Sequence, residues 1–338
     1  MLRFPLCKRA FAHKSLLADE LQVDPKRPSE SIVTKSATEI IMFTSPYRSK
    51  NFDSLQAAAQ QFPRLFAPRS ERSHKGTYGT LAVVGGAEGM SGAVILAATA
   101  AMYGGCGKVW AGFNQAELPF AVIAARPEIM LATAAQLQAR NDISAWVCGC
   151  GLGLGESSLR VLQNQLALAH ERALLLDADA LTLLACHPQL AAAAPRNTLV
   201  LTPHPAEAGR LLGISTAQVQ AERSLAAARI AEKYRAYVVL KGHRSMVCSP
   251  DGSQYVNKSG NAGLAGAGSG DVLSGIIGSL LAQGIAAEEA VRGGVWLHGA
   301  AADVLRDSEV GESGMLAGEI AAAARWLRNR LSAAFAAQ

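Results

Sequence analysis

The chain has 338 residues, 50% of them hydrophobic, 17% charged and 6% aromatic, with a formal net charge of +5. This length can bury a full core, and the half-apolar composition excludes intrinsic disorder, while the lack of a heptad or short-period repeat excludes a coiled coil or solenoid. The positive charge is confined: residues 1–75 hold 13 Lys/Arg against 7 Asp/Glu, and the remainder holds 19 against 20, so the body has no basic face for nucleic acid.

Residues 1–50 show no structural period and read as a poorly ordered or variable extension. Their early basic and hydroxyl residues suit a transit peptide, but Asp19, Glu20 and Asp24 follow closely. A disordered tail, or a true start at Met42, is the expectation. Residues 51–338 read as a single domain, firm from His74. Cys7, Cys106, Cys148, Cys150, Cys186 and Cys248 are scattered and lack paired C-x-x-C knuckles, which fits reduced, mostly buried thiols in a cytoplasmic protein. The most apolar stretch, Gly92–Gly107, is too short to span a membrane and reads as a buried helix.

From Thr80 short apolar runs alternate with amphipathic stretches. Thr80–Val84 is a predicted strand, followed by glycines and a small-residue helix, Ser91–Tyr103. Strands are predicted at Lys108–Gly112, Ala145–Cys148, Ala173–Leu176, Thr198–Leu201 and Tyr237–Leu240, each followed by a turn and a helical segment. Ser245–Cys248 and Gln254–Val256 read as a hairpin around Asp251-Gly252. Helices over Ser269–Leu281, Ala286–Leu305 and Leu316–Leu331 close the chain. Repeated strand–turn–helix units predict an α/β fold, a mainly parallel sheet covered by helices on both faces. In such sheets, ligands bind beyond the carboxyl ends of the strands.

The segment Asn261–Gly275 has five glycines in 15 residues and runs into an apolar helix. Backbone N–H groups at Gly268, Ser269 and Gly270 can converge there on an anion, aided by the helix dipole. Asp271, in the first turn, either favours the dipole or accepts a proton from a substrate hydroxyl. Lys241-Gly242 ends a strand, as a solvated lysine or as a contact to nucleotide phosphates or ribose, with Ser245 adding a hydroxyl. In Thr202-Pro203-His204-Pro205-Ala206-Glu207, the prolines fix the backbone around His204, and Glu207 either caps the next helix or holds a hydrated cation. Asp177 and Asp179 suit a cap, with or without a Mg²⁺-linked water. Glycines after Cys148 permit close approach of a substrate or simply a tight turn. Gly85–Ala93 is not G-x-G-x-x-G, so a nicotinamide Rossmann site is not indicated. Trp296 and His298 read as packing residues.

Together and in order, HKGTYG (74–79), VVGGAEGMSGA (83–93), GCGLG (149–153), LDADAL (176–181), TPHPAE (202–207), KG (241–242) and GAGSGDVLSG (266–275) resemble the ADP- or ATP-dependent NAD(P)H-hydrate dehydratases of the ribokinase-like superfamily. The resemblance implies a three-layer αβα sandwich and a repair reaction: a hydrated nicotinamide ring is phosphorylated on its hydroxyl by ADP, and phosphate is eliminated to restore NADH or NADPH. It implies Asp271 as the base. Lys241, Gly242, His243, Arg244, Ser245, Gly268, Ser269 and Gly270 would bind the nucleotide, and Ala93, Gly153, His204 and Asp271 would line the substrate. Mg²⁺ would bridge the phosphates, with Asp177 and Glu207 as its protein contacts through water. A homotetramer and a separate epimerase are also implied, since about 70 residues before His74 cannot hold an epimerase domain. The glycine loop departs from the family pattern at Ala262, Gly266 and Ala267, where Ala267 adds a methyl. The competing reading is a small-molecule kinase of the same fold acting on a vitamin precursor or alcohol. A nucleotide-binding module without turnover comes third.

Overall fold

The computed structural model describes residues 46–169, 172–193, 198–308 and 310–338. The expectation for residues 1–45 of the N-terminal extension lies outside them. Nine strands form one sheet: β1 (Thr80–Gly85), β2 (Lys108–Phe113), β3 (Met130–Thr133), β4 (Ala145–Cys148), β5 (Ala173–Leu176), β6 (Thr198–Leu201), β7 (Tyr237–Leu240), β8 (Met246–Cys248) and β9 (Gln254–Val256). Their order is β3-β2-β1-β4-β5-β6-β7-β8-β9. The first seven pair in parallel, and β8 and β9 close the edge as an antiparallel hairpin.

The helices are α1 (Phe52–Ala59), α2 (Ser91–Tyr103), α3 (Ala134–Leu137), α4 (Glu156–Leu168), α5 (Ala178–Cys186), α6 (Pro205–Leu212), α7 (Thr216–Ala221), α8 (Arg223–Tyr234), α9 (Ser269–Ala282), α10 (Ala287–Asp307) and α11 (Ala317–Ala336). Strands buried on both faces need continuous apolar runs, and Ala-Trp-Val-Cys in β4 or Ala-Leu-Leu-Leu in β5 supply them. Alternate residues then serve opposite layers. Leu81, Val83, Val147 and Leu175 face α2, α9, α10 and α11. Ala82, Val84, Trp146 and Leu176 face the layer of α4, α5, α6 and α8. The result is the expected three-layer α/β sandwich.

Two elements were not expected. One is the edge strand β3, only four residues long and buried only at its last two. The segment that opens on α1 lays Phe62, Leu65 and Phe66 into the core against Trp296 and Phe335, and Glu289 Oε1 accepts from the N–H groups of Arg64 (2.7 Å) and Leu65 (2.9 Å). Ser45–Gln338 is one compact unit.

Helix α9 is buried along nearly its whole length, because it lies across the strand layer beside α2. A Cβ on Gly275 would stand 2.1 Å from the Ala97 carbonyl oxygen of α2, so this crossing requires the missing side chain. Gly275→Ala should therefore lower stability by about 1–3 kcal/mol through overpacking, despite the roughly 1 kcal/mol gain in helix propensity. Urea unfolding of the full chain measures the sign.

Candidate active site

The carboxyl ends of the parallel strands share one edge of the sheet. Their loops are stitched sideways by backbone bonds: Gly149 N–H to Val84 O (3.0 Å), Asp177 N–H to Cys148 O (3.1 Å), Thr202 N–H to Leu176 O (3.2 Å) and Lys241 N–H to Pro203 O (2.9 Å). The N-terminus of α9 meets this edge. The helix starts at Gly268, whose φ of +86° is left-handed, and no side chain caps it. Its first N–H groups, among them those of Gly270 and Asp271, have no intrahelical acceptor, and the dipole places positive potential there.

Asp177 is the centre of the edge. It is 1% exposed; Oδ1 accepts from Ala178 N–H at 2.9 Å and from Lys241 Nζ at 2.6 Å, and Oδ2 accepts from Ser274 Oγ of α9 at 2.8 Å. Burial alone would lower the Lys241 pKa, but the carboxylates of Asp177 and Glu207 outweigh it and raise the pKa above its ordinary value. The ammonium sits under the glycine turn, 3.4 Å from where a Gly270 Cβ would be. Arg223 braces the same strand end by donating to the Leu240 (3.0 Å) and Lys241 (3.3 Å) carbonyls.

Asp271 stands beside this pair. Burial, and then the charge of Asp177, push its pKa up to about 6, opposed by the Cys150 thiol and by Lys241. A carboxylate so tuned is a base matched to neutral pH. The buried Cys150 thiol is itself held protonated by burial and by the neighbouring Asp271 and Asp177 charges.

His204 and Glu207 form a reciprocal cap on α6. His204 Nδ1 accepts from the Ala206 (3.1 Å) and Glu207 (3.4 Å) N–H groups, and Glu207 Oε2 accepts from His204 N–H (2.7 Å). Nδ1 is thus an acceptor. Burial and then Lys241 lower the ring's pKa, so the neutral imidazole presents Nε2–H. Asp179 Oδ2 accepts from Gly153 N–H at 2.8 Å, tying the β5 loop to the β4 loop. Ala93 abuts the same loop, 3.2 Å from where a Gly151 Cβ would stand.

A cavity of about 710 Å³ opens on the other side of the α9 terminus, lined by Lys241, Gly242, His243, Arg244, Ser245, Ser269 and Gly270 together with residues of the 257–266 loop and α10. The structure thus gathers nearly all of the sequence-predicted nucleotide residues, Gly268 standing behind the turn. Ala93, Gly153, His204 and Asp271 lie outside that cavity, along the strand ends.

Two expectations change, and a third is narrowed. Asp177 and Glu207, expected to contact Mg²⁺ through water, have no uncommitted oxygen for direct ligation: the first is held by Lys241, Ser274 and its cap, and the second by the His204 backbone at one oxygen, with its other oxygen 3.3 Å from His204 Nε2. Cys150, Asp177 and Asp271 offer ligand atoms within 4.8 Å of one another, but a protonated thiol is foreign to the all-oxygen shell of Mg²⁺. Contact through water is what these residues can offer. Second, Ala267 is exposed, so its methyl does not crowd the loop. Third, His298 is more than packing: buried on α10, it lines the cavity, and its Nε2 lies 3.0 Å from the Ser269 carbonyl. A lone histidine within the Ala/Gly-rich run Trp296–Ala302 was the signal. The motif HKGTYG, by contrast, precedes β1 and so occupies the opposite edge of the sheet, where His74 caps a single 3-10 turn.

The sequence profile of the NAD(P)H-hydrate dehydratase family matches residues 81–325. The chain belongs to that family. It is 60% identical over 275 residues to the ADP-dependent (S)-NAD(P)H-hydrate dehydratase of Neisseria meningitidis serogroup B, covering 81% of this chain and 93% of the relative. The bifunctional NAD(P)H-hydrate repair enzyme of Escherichia coli is 38% identical over 267 residues, covering 78% of this chain and 50% of the relative. The chain thus spans about half of that longer protein. Among solved structures, the ADP/ATP-dependent NAD(P)H-hydrate dehydratase of Bacillus subtilis, co-crystallised with ATP/Mg²⁺, superposes with a TM-score of 0.69 at 31% identity, over 78% of this chain and 94% of that one. A ribokinase-like superfamily protein of Enterococcus faecalis superposes at 0.70 with 26% identity, over 79% and 94%. The dehydratase fold is therefore ribokinase-like.

Lys241→Met leaves Asp177 buried without a counter-charge, and should cost about 3–5 kcal/mol at neutral pH. Adding Asp177→Asn should recover part of that loss, since the second change removes the stranded charge. Urea unfolding of both variants provides the check.

Proposed function

We propose that the chain is an ADP-dependent (S)-NAD(P)H-hydrate dehydratase. The observation that carries this reading is the placement of Asp271 in the first turn of α9, beside the buried Asp177–Lys241 pair. Asp271 stands at the boundary between a nucleotide-sized cavity and a shelf of strand-end loops, at an uncapped helix terminus.

On this reading Lys241–Ser245, Gly268, Ser269 and Gly270 hold ADP, with its phosphates at the first turn of α9. The hydrated nicotinamide ring rests by Ala93, Gly153 and His204. Asp271 takes the proton of the ring hydroxyl as the hydroxyl oxygen attacks the β-phosphorus. The bond from that phosphorus to the bridging oxygen breaks, and AMP leaves. The charge spread over the transferring phosphoryl oxygens is met by the backbone N–H groups of the turn, already oriented and needing no rearrangement. Water had been added across a ring double bond; loss of phosphate together with the neighbouring ring proton, which passes to water, restores it, giving NADH or NADPH, AMP and phosphate. Mg²⁺ on the nucleotide's phosphates would neutralise part of their charge, and Asp177 and Glu207 would meet it only through water. No helix among the described residues is long and apolar enough to cross a membrane. A cytoplasmic homotetramer completes the proposal.

Full-length protein mixed with hydrated NADH, Mg²⁺ and ADP should regenerate reduced-nicotinamide absorbance. A stable phosphorylated product without that recovery would sink the dehydratase reading and indicate a kinase. Asp271→Asn should keep nucleotide binding and lose about 10²–10⁴-fold in turnover.

The pH dependence has a definite sign. Asp271 must be ionised to act, so turnover should fall as pH drops through about 6. Its folded pKa lies above the ordinary aspartate value of 3.8. The ionised form therefore opposes folding: the penalty is absent below pH 4, grows up to about pH 6 and persists above it. Asp271→Asn should thus raise the melting temperature at pH 7.5 more than at pH 4, by up to about 3 kcal/mol of stability. Equal melting shifts at both pH values would contradict the assigned ionisation.

A further inference from the structure

The cavity beside Asp271 contains a group that the mechanism does not use. His298 comes from α10, 29 residues after Ser269, and its ring is pressed against the first turn of α9. Nε2 lies 3.0 Å from the Ser269 carbonyl oxygen and 3.3 Å from its hydroxyl. A carbonyl only accepts, so Nε2 carries the hydrogen and donates. This bond fixes the tautomer and leaves Nδ1 a bare acceptor. Burial holds the ring neutral, its pKa lowered to about 4. At neutral pH the ring therefore has one donor, already used, and one acceptor.

Nδ1 has no hydrogen-bond partner among the described residues, yet it is not one of the sealed, unpaired polar atoms of the interior. Since His298 is 7% exposed and lines the 710 Å³ cavity, that exposure belongs to the cavity. Whatever occupies this space meets a hydrogen-bond acceptor that cannot become a donor.

The partner follows from position. This inference rests on the nucleotide reading of the cavity given above. With the diphosphate at the N–H groups of the α9 turn, the next part of the nucleotide is its ribose. The ring is held against the carbonyl side of that same turn, so the sugar is the part of the ligand beside it. A ribose offers hydroxyl donors, and phosphates at neutral pH offer almost none. We propose that His298 is a specificity-determining residue that accepts, through Nδ1, a hydrogen bond from a ribose hydroxyl of the bound nucleotide, while Nε2–H locks the phosphate-binding turn. One side chain thereby couples sugar recognition to the shape of the anion site.

Calorimetric titration of the full-length protein with ADP, 2′-deoxy-ADP and 3′-deoxy-ADP tests this, in wild type and in His298→Gln. Glutamine keeps an N–H near the Nε2 position, which can still brace Ser269, but has no acceptor at the Nδ1 position. Wild type should bind ADP about 5- to 10-fold more tightly than one of the two deoxy nucleotides, the size expected for one hydrogen bond. That ratio should fall to near 1 in His298→Gln. A ratio that persists in the variant, or no discrimination by wild type, overturns the proposal. Failure of wild type to bind ADP at all would instead overturn the nucleotide reading beneath it.

A measurement on the unaltered protein covers a variant that fails to fold. The ring-nitrogen NMR shifts of His298 should show a neutral ring with Nδ1 unprotonated. The Nδ1 signal should move on adding ADP and stay nearly still with the discriminated deoxy nucleotide. An unmoved Nδ1 in the presence of saturating ADP contradicts the assignment.

Discussion

The site depends on one buried charge. Asp177 lies at the end of β5, nearly sealed from water, and an isolated carboxylate there would be costly. Its needs are met by three donors from three elements: the first N–H of α5, the ammonium of Lys241 at the end of β7, and Ser274 on α9. At 2.6 Å and an effective dielectric of about 20, the ion pair gains roughly 6 kcal/mol. Desolvating two ions costs several kcal/mol each. The pair roughly breaks even, so its value is placement. It fixes how far α9 advances over the strand ends, and so where the Gly268–Asp271 turn stands.

The same pair sets the chemistry of its neighbour. Asp271 feels burial and the Asp177 charge, which disfavour ionisation, and the Lys241 charge and the Cys150 thiol, which favour it. Were Lys241 absent, nothing cationic among these contributors would hold the base near 6. Were Asp177 absent, the ammonium would be free to approach the carboxylate. A neutral salt bridge beside an uncapped helix end therefore leaves a net field that suits a base on one side and an anion on the other. Two of the neighbouring strand-end helices spend their first N–H groups on side-chain caps, while α2 and α4, like α9, do not. Asp177 caps α5 and His204 caps α6, whereas α9 begins on a glycine with none.

Much of this was legible in the sequence because parallel strands are buried on both sides. Four of the predicted strands, Ala145–Cys148, Ala173–Leu176, Thr198–Leu201 and Tyr237–Leu240, coincide with β4, β5, β6 and β7, and a residue just beyond a strand end is placed by topology alone. That is why Asp177, His204, Lys241 and the glycine loop converge as expected. The edge strand β3 is four residues long and buried only at its last two, and α1 has a single fully buried residue, Ala59, so neither carried a clear period. Side-chain partners were invisible for a different reason. Asp177 and Lys241 are 64 residues apart, and Asp177 and Ser274 are 97 apart. Chain distance says nothing of such pairings, so Asp177 resembled a cap with a free oxygen. His298 was hidden in the same way, because its partner on α9 becomes apparent only when α9 and α10 are packed.

The division of the site at the α9 terminus also bears on why two chemical steps can share one place. On the proposed reading, phosphoryl transfer and elimination both put negative charge on the same phosphoryl oxygens, first as the group crosses to the ring hydroxyl and then as it leaves as phosphate. A charged side chain reaching from solvent would have to follow the group. Backbone N–H groups at a helix start, pre-oriented by the turn and held by Ser274 below and His298 behind, stabilise that charge at both stages without moving. The group crosses from the cavity side to the shelf side over a few ångströms, and Asp271 stands where it arrives. A carboxylate with a pKa of about 6 can take the hydroxyl proton and hold it while the phosphate departs. A stronger acid would return it at once, and a weaker one would arrive already protonated.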